Sequence, residues 1–324
     1  MILAGDIGGT RARLALYERG GDAARAEAVL ATREFPNFDA ALVRFLEQAG
    51  RPAVASAAFA VAGPVLEGRV RMTNLGWELD ESALAGLLGG ARVRILNDLE
   101  AAAHGVLHVP AADLRVLADG EPIRRGNLAV IGAGTGLGEA LLAWSDAGPV
   151  AIASEGGHAD FAPHDATEFA LLEWLGQTHE HVSWEHVVSG PGLLWLYEFL
   201  RDTGRAVEPA PLRARIAAAV EPSMVISQAG VAGEFPICVR ALEMFVRAYG
   251  AEAGNLALKG MALGGVYITG GIAPSVLDGR WREVFLHAFL AKGRYEPFMR
   301  RIPVRVVLRG HASLLGAASV AAAR

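Results

Sequence analysis

Two stretches of this sequence share a pattern in which an apolar run, a glycine-rich turn and a second apolar run follow one another. Residues 3–17 read LAGDIGGTRARLALY, and residues 128–144 read LAVIGAGTGLGEALLAW. Two apolar runs joined by a tight turn predict a β-hairpin. Glycine suits such a turn because it adopts positive φ angles and lets backbone N–H groups approach an anion. Two copies predict a duplicated domain with two phosphate-binding loops that face a shared cleft.

Asp6 lies just before the first of these turns. A carboxylate beside a phosphate-binding loop would repel a nucleotide unless a cation lay between them, and Mg²⁺ is commonly held by one or two carboxylates together with water and phosphate oxygens. We therefore predict that Asp6 anchors Mg²⁺, directly or through water; an aspartate that only stabilises a turn is the alternative. The aligned position in the second stretch is Ile131, which suits a single magnesium-bound nucleotide.

Asn97 and Asp98 follow an apolar run at residues 93–96 and precede a helix predicted over residues 100–107. A short acceptor side chain at this place can cap the helix. A carboxylate there can instead accept the proton of a hydroxyl group during phosphoryl transfer, because the helix dipole keeps it ionised. Asn97 offers both a donor and an acceptor. The local sequence leaves both roles open for Asp98.

A polar cluster, EGGHAD, occupies residues 155–160. Glu155, His158 and Asp160 could ligate a metal, although the two glycines favour a loop over the helix of an H-E-x-x-H site. They could also bind a polyol, because each hydroxyl presents a donor and an acceptor, or form an ordinary polar loop. Glu185 lies near the end of another polar run, HEHVSWEH at residues 179–186. A helix is predicted over residues 193–200, with Ser189 as its cap.

The elements around these clusters alternate between strands and helices, which is typical of α/β architecture. Asp39 is the predicted cap of the first helix. In α/β sheets, ligands bind beyond the carboxyl ends of the strands. Gly63-Pro64, Asn97-Asp98 and Gly270-Gly271 are expected there. The pattern predicts strands at residues 57–62, 70–73, 93–96 and 265–269, and helices at residues 39–49, 100–107, 274–277 and 312–323.

Composition sets further limits. A length of 324 residues favours two domains, and 52% hydrophobic residues let each half bury a core. A net charge of −5 gives no electrostatic reason to expect nucleic acid or an anionic membrane as a partner. Cys238 is the only cysteine, so an intramolecular disulfide and a cysteine-based zinc cluster are excluded. Without a predicted signal peptide or membrane span, we expect a cytoplasmic protein.

Together these motifs resemble those of bacterial ATP-dependent glucokinases, within the superfamily of sugar kinases, heat-shock-70 proteins and actin. The resemblance implies two ribonuclease-H-like or actin-like α/β domains, each a mixed sheet flanked by helices, with an interdomain cleft that closes on sugar, and a homodimer. We predict a smaller domain at residues 1–110, joined by the C-terminal helix at 312–324, and a larger one at 111–311. The similar stretches follow the family's order: GDIGGTRARLAL at 5–16, LNDLEAAAHG at 96–105, GAGTGLGEA at 132–140, EGGHADFAP at 155–163, VVSGPGLLWLYEFL at 187–200 and GGVYITGGIAP at 264–274.

The resemblance also implies roles for individual residues. Asp98 would deprotonate the 6-hydroxyl of D-glucose, and Asp6 would lie near Mg²⁺. The residues implied to bind the sugar are Asn97, Asp98, Glu155, His158 and Glu185. The residues implied to bind ATP, with the last two against the adenosine, are Gly5, Asp6, Ile7, Gly8, Gly9, Thr10, Gly134, Thr135, Gly270 and Gly271.

The chain departs from its relatives in three respects. Arg11 stands where many relatives carry asparagine, so its part in nucleotide contact is left open. The related repressor and kinase family carries a cysteine-rich zinc motif, which Cys238 alone cannot build. Because the first loop starts at residue 5, we expect no N-terminal DNA-binding extension.

Several alternatives to glucose phosphorylation by ATP stay open. The chain could phosphorylate another hexose, such as mannose or fructose, or use another phosphoryl donor, such as polyphosphate. A non-catalytic sugar sensor or nucleotide-binding module would need the loops but not Asp98 together with Glu155 and Glu185. A metal-dependent hydrolase would use Glu155, His158 and Asp160.

Overall fold

The computed structural model describes residues 1–21, 23–72 and 74–323. Its strands are β1 Ile2–Ile7, β2 Arg11–Tyr17, β3 Ala24–Ala31, β4 Ser56–Val61, β5 Arg69–Arg71, β6 Glu78–Asp80, β7 Arg92–Asn97, β8 Leu114–Ala118, β9 Leu128–Ala133, β10 Leu137–Ser145, β11 Gly148–Ser154, β12 Gly265–Thr269 and β13 Val304–Val307. Its α-helices are α1 Phe38–Gln48, α2 Glu81–Leu87, α3 Asp98–Gly105, α4 Ala166–Leu175, α5 Gly190–Asp202, α6 Ala210–Ala217, α7 Pro222–Ala232, α8 Pro236–Gly260, α9 Ala273–Val276, α10 Gly279–Leu290, α11 Glu296–Met299 and α12 Ala312–Ala322.

Two main sheets have the same plan. The first runs in the order β3-β2-β1-β4-β7, and the second runs β11-β10-β9-β12-β13-β8. In the first sheet β1 is antiparallel to β2 and parallel to β4, which is parallel to β7. In the second sheet β12 is parallel to both β9 and β13. The mixed sheets confirm the predicted α/β fold, and each predicted hairpin is a pair of neighbouring strands.

Most predicted elements are present, but one predicted cap was wrong. The helix expected at residues 39–49 is α1, and Asn37 rather than Asp39 caps it, because the side chain of Asn37 accepts a hydrogen bond from Ala40 N–H. Asn37 has extended backbone angles and directly precedes the first helical residue, as a cap must. The strand expected at residues 70–73 is β5, and Thr73 lies outside the described residues.

Contacts between residues divide the described part of the chain into two compact units. The first comprises Met1–Leu114, Ala140–Ser154 and Arg309–Arg324, and the second comprises Arg115–Glu139 and Glu155–Leu308. The predicted domains at 1–110 with 312–324 and at 111–311 stay a prediction, and Arg324 lies outside the described residues. Across those residues, no helix combines the length and the apolar character needed to cross a membrane.

Two glycines allow the helices α3 and α12 of the first unit to pack closely. The small-residue helix α12 packs against α3, β1 and β4. An ideal Cβ on Gly105 of α3 would lie 1.8 Å from the carbonyl oxygen of Ala312, and one on Gly316 of α12 would lie 1.7 Å from that of Ala101. Any side chain at either position would push the two helices apart. The crossing therefore fixes α3, whose first residue is Asp98.

In the second unit, the 25-residue helix α8 carries one member of a buried acidic pair beneath the sheet. Glu139 on β10 and Glu252 on α8 are 1% and 0% exposed. Burial, together with the charge of Glu252, raises the pKa of Glu139 to about 8, and burial also raises the pKa of Glu252. Lys259 opposes both shifts, with its Nζ 3.5 Å from Glu252 Oε1. Glu139 therefore keeps its proton at neutral pH.

Other polar groups complete the surroundings of this pair. Asn255 donates from Nδ2 to Glu252 Oε2 at 2.8 Å. Lys292 donates to Asn255 Oδ1 at 2.7 Å and to the carbonyl oxygen of Ala251 at 2.9 Å. The hydroxyl of the buried Tyr249 accepts a hydrogen bond from Ala133 N–H, at the end of β9. The pair therefore lies below the strand that leads into the second glycine-rich loop.

The acidic pair predicts how stability depends on pH. Glu139 keeps its proton up to about pH 8 in the folded protein, whereas the unfolded chain loses it near pH 4.5. The folded state binds more protons between these values, so the free energy of unfolding falls as pH rises from about 5 to 8, by at most about 1.4 kcal/mol per pH unit. Glu139→Gln retains a donor and cannot ionise, so we expect a much smaller slope in urea unfolding at pH 5, 6.5 and 8.

Glu173→Gln is the matched control, because Glu173 is exposed. It should keep the slope of the unaltered protein. An equal slope in Glu139→Gln would contradict the raised pKa of Glu139.

Candidate active site

The first glycine-rich loop, residues 8–10, joins β1 to β2 and follows the buried β1 residues Gly5 and Ile7. Gly8 N–H donates to the carbonyl oxygen of Arg11 at 2.9 Å and closes the turn. The buried Thr32 holds the other loop carbonyls: its Oγ1 donates to Gly9 O at 2.9 Å, and its N–H donates to Thr10 O at 3.1 Å. These hydrogen bonds hold the Gly9 and Thr10 carbonyls against Thr32, and Thr10 itself is exposed.

From the sequence, the loop glycines were explained partly by positive φ angles, and this explanation was wrong. Among the described residues, positive φ angles do not occur at Gly8, Gly9 or Gly134. Close approach accounts for Gly5 instead, since a Cβ there would lie 2.7 Å from the ring of Phe59.

Asp6 is the half-buried carboxylate next to the first loop. Burial raises its pKa to about 6, and the guanidinium of Arg13, on the residue paired with it in β2, limits the rise. Arg13 also lies 3.8 Å from Glu27 and contacts His311 Nδ1. Asp6 is therefore ionised at neutral pH, and the Arg13 guanidinium opposite it is shared with Glu27. A desolvated carboxylate of this kind fits a divalent cation, because carboxylate oxygen is the ligand that Mg²⁺ prefers.

Three functional segments meet at one edge of the first sheet. Ile7, Val61 and Asn97 are in register across the parallel strands β1, β4 and β7. Neighbouring strands lie about 4.8 Å apart, so the first loop and the start of α3 are separated by about 10 Å. Asn97 Nδ2 donates to the carbonyl oxygen of Gly63, which follows β4, at 3.2 Å. The prediction that Gly63-Pro64 and Asn97-Asp98 lie at the carboxyl ends of strands is confirmed.

Asn97, not Asp98, caps α3. Its Oδ1 accepts from Leu99 N–H at 2.9 Å and from Glu100 N–H at 3.3 Å, and Glu100 Oε2 accepts from Asn97 N–H in return. The cap alternative for Asp98 is therefore wrong. Asp98 is the first helical residue, half-buried, with Oδ1 accepting from Leu99 N–H at 2.9 Å. The helix dipole at this position favours a charged carboxylate.

The second glycine-rich loop and Gly270-Gly271 share an edge of the second sheet. β9 and β12 are parallel, with Gly132 opposite Thr269, so Gly134-Thr135 and Gly270-Gly271 both follow carboxyl ends of neighbouring strands. Gly270 has a φ of +84°, and a Cβ there would lie 2.3 Å from Ala133 O. Only glycine can occupy this position without strain.

The segments carrying His158 and Glu185 run side by side in the second unit. Glu185 N–H donates to Gly157 O at 2.9 Å, and Trp184 N–H donates to Ala159 O at 3.0 Å. The pairing places His158 Nδ1 4.0 Å from Glu185 Oε1. Glu155 precedes a short 3₁₀ turn that ends at His158, and both side chains are exposed. These carboxylates and the imidazole provide donors and acceptors at one surface of this unit, as a polyol requires.

Asp160 turns away from this group, which argues against the metal alternative. Its Oδ1 lies 2.8 Å from His181 Nε2, a partner that the sequence did not predict. Within residues 1–21, 23–72 and 74–323, no three side chains of His, Cys, Asp and Glu are placed together to hold a metal ion.

A histidine and tryptophan stack supports the segment that carries Glu185. His186 stacks on Trp195 of α5 at 5.4 Å, and its Nδ1 accepts from Ser183 N–H at 3.1 Å. Burial, with the nearby His179, lowers the pKa of His186, so the ring is neutral at neutral pH. Ser189 caps α5 as predicted, since its Oγ accepts from Gly192 N–H at 3.0 Å.

Comparison with known proteins gives a consistent result. The family model for glucokinase matches residues 3–324. The glucokinase of Nostoc punctiforme is 37% identical over 338 aligned residues, which cover 99% of this chain and 99% of that protein. A solved glucokinase structure from an Antarctic psychrotroph is 30% identical with a TM-score of 0.84, over 99% of this chain and 98% of that chain. A ROK family glucokinase from Streptomyces griseus, solved with glucose and AMPPNP, shares the fold at 22% identity and a TM-score of 0.66, over 99% and 98% of the two chains.

Thr32 generates a prediction about the first loop. Thr32→Val keeps the shape of the side chain but removes the hydrogen bond to Gly9 O, so we expect a loss of about 0.5–1.5 kcal/mol in the free energy of unfolding. Hydrogen exchange should accelerate at residues 8–10. Thr178→Val, whose hydroxyl bonds only within its own turn, is the control and should leave exchange in the loop unchanged. Unaltered exchange at residues 8–10 in Thr32→Val would show that Thr32 does not hold the loop.

Proposed function

This chain belongs to the glucokinase family, and we propose that it transfers the γ-phosphoryl group of ATP to the 6-hydroxyl of D-glucose, giving glucose 6-phosphate and ADP. The observation that carries this proposal is the start of α3, where Asn97 caps the helix and leaves the carboxylate of Asp98 at its first position. Asp98 is half-buried, follows the carboxyl end of a strand and begins a capped helix. Its carboxylate is therefore well placed to receive a proton from a bound alcohol.

Asp98 acts as the general base in the proposed reaction. The oxygen of the 6-hydroxyl attacks the γ-phosphorus while its proton passes to the carboxylate of Asp98. The bond between the γ-phosphorus and the β,γ-bridging oxygen breaks, and ADP leaves with that oxygen. Proton acceptance by a positioned base contributes about 10²–10⁴-fold to the rate, and the remainder comes from positioning and charge neutralisation.

We propose that Asn97, Asp98, Glu155, His158 and Glu185 bind the same glucose molecule. Vicinal hydroxyls each carry a donor and an acceptor, so carboxylates, an amide and an imidazole can pair with both. The 4.0 Å separation of His158 Nδ1 from Glu185 Oε1 supports this for two of the residues. Closure of the protein on sugar would exclude water, which otherwise competes for the phosphoryl group.

The nucleotide is proposed to bind the two glycine-rich loops, with Gly270-Gly271 against the adenosine. Asp6 is the residue that would hold Mg²⁺, directly or through water, because its carboxylate is desolvated and the guanidinium opposite it is shared with Glu27. When bound, Mg²⁺ neutralises charge on the phosphate oxygens. Arg11, which is exposed beside Thr10, is left without an assigned role.

Three further proposals rest on the family rather than on an observed contact. We propose that the protein acts in the cytoplasm, forms a homodimer and has no nucleic acid or membrane partner. A phosphoryl donor other than ATP and a hexose other than glucose are the alternatives that activity measurements would separate.

Replacement of Asp98 tests the proposed base. Asp98→Asn keeps Asn97 as the helix cap and removes the proton acceptor, so we expect kcat to fall at least 100-fold with an intact fold and little change in the glucose dissociation constant. A coupled assay for ADP gives kcat, and calorimetry gives glucose binding. Asp39→Asn, an exposed aspartate in the first turn of α1, is the matched control. A kcat within a few-fold of the unaltered protein would remove Asp98 as the base.

Replacement of Glu155 tests the proposed sugar site. Glu155→Gln keeps an acceptor but loses the charge, so we expect the KM for glucose to rise about tenfold with a smaller effect on kcat. Values of kcat/KM for glucose, mannose and fructose should favour glucose in the unaltered protein and converge in the variant. An unchanged KM would count against the sugar contact, and a preference for mannose or fructose would identify another hexose as the substrate.

A further inference from the structure

The carboxylate of Glu185 joins two regions of the second unit. Its Oε2 accepts a hydrogen bond from Leu137 N–H at 2.8 Å, at the end of the second glycine-rich loop. Its Oε1 lies 4.0 Å from His158 Nδ1, on the side proposed to bind sugar. The side chain is 32% exposed. One carboxylate therefore contacts the loop proposed for phosphate and the group proposed for glucose.

Gly136 makes this contact possible. An ideal Cβ at Gly136 would lie 2.4 Å from Glu185 Oε2 and 3.2 Å from its Cδ, and the three nearest atoms outside the adjacent residues all belong to Glu185. The φ angle of Gly136 lies outside the left-handed region. Alanine could adopt this backbone conformation, so the only conflict is with the carboxylate. Gly136 is needed for the space that it leaves open.

The surrounding backbone leaves the loop little freedom to adjust. Gly134 N–H donates to Gly136 O at 2.9 Å, and Gly190 N–H, at the start of α5, donates to Gly134 O at 2.8 Å. On the other side, a Cβ at Gly157 would lie 2.0 Å from Leu137 O. Because Glu185 N–H also donates to Gly157 O, the Leu137 peptide is enclosed by the two segments that carry His158 and Glu185. A displacement of the Glu185 carboxylate would therefore be transmitted to the loop.

We propose that Gly136 is a positioning residue that lets Glu185 couple glucose binding to nucleotide binding. This inference rests on the proposed function, since it requires that Glu185 binds the sugar and that the loop binds phosphate. Glucose that orients Glu185 also fixes the position of the Leu137 peptide, and a nucleotide that orders the loop also fixes the position of the Glu185 carboxylate. Such coupling is reciprocal, so each ligand changes the affinity for the other by the same factor.

Calorimetry can measure this coupling directly on the full chain. Glucose and a non-hydrolysable ATP analogue with Mg²⁺ are titrated separately, and each is then titrated in the presence of the other at saturation. For the unaltered protein we expect each ligand to tighten the other by about fivefold or more. For Gly136→Ala we expect the glucose dissociation constant to rise about tenfold, because a displaced carboxylate loses a charge-assisted hydrogen bond, and the coupling factor to fall close to one.

Two further variants separate coupling from damage. Gly86→Ala is the matched control, because Gly86 is exposed in α2 with nothing within 4 Å of a Cβ, and it should behave as the unaltered protein. The double variant Gly136→Ala/Glu185→Ala should bind glucose no more weakly than Glu185→Ala alone, since without the carboxylate the added methyl group has no conflict. A thermal unfolding curve confirms that each variant is folded.

The outcomes distinguish the inference from the function on which it rests. Unchanged glucose affinity and coupling in Gly136→Ala, with normal kinase activity, would overturn the inference alone. An equal loss of affinity from Gly136→Ala in the Glu185→Ala background would also overturn it, because Gly136 would then act by another route. Unchanged glucose affinity in Glu185→Ala would remove the proposed sugar contact and the coupling together.

Discussion

The hydrogen bonds from Leu99 and Glu100 N–H to Asn97 Oδ1 are the interaction on which the proposed chemistry depends. They start α3 at Asp98, directly after a parallel strand, and the amide of Asn97 also ties this point to the chain after β4. The glycine crossing of α3 with α12 holds the far end of the same helix. Because the Asn97 side chain fixes one end of α3 and the close helix crossing fixes the other, the carboxylate of Asp98 has a defined position before any substrate binds. Preorganisation of this kind lowers the reorganisation needed in the reaction.

Buried acids appear beside both glycine-rich loops, and they act against stability at neutral pH. Burial raises the pKa of Asp6 next to the first loop and that of Glu139 on the strand after the second. The two cases differ in what surrounds them. Asp6 faces a guanidinium shared with Glu27, and a bound cation would relieve its desolvation, whereas Glu139 keeps its proton beside Glu252 beneath the sheet. A lower free energy of unfolding near a binding loop is a common consequence of a charged site.

Local patterns in the sequence predicted the two hairpins, the strand ends that carry functional groups and the cap of α5, because each depends on neighbouring residues. Contacts between distant segments were not predicted. Thr32 holds the first loop through its hydroxyl, which bonds Gly9 O 23 residues earlier in the chain, and through its N–H. Asp160 pairs with His181 rather than joining Glu155 and His158. The requirement for Gly136 arises from a carboxylate 49 residues later in the chain. The cap of α1 was assigned to Asp39 instead of Asn37, and the role of Asp98 at α3 was left open, because Asn and Asp are about equally good caps and lie within two positions of each other.

A crystal structure of the protein with glucose would test the central claim most directly. We predict that the 6-hydroxyl oxygen of glucose lies about 2.6–3.2 Å from a carboxylate oxygen of Asp98, within range for proton transfer. Glu155, His158 and Glu185 should contact other hydroxyls of the same sugar. A glucose molecule bound with its 6-hydroxyl out of reach of Asp98, and directed toward another base, would contradict the proposed chemistry.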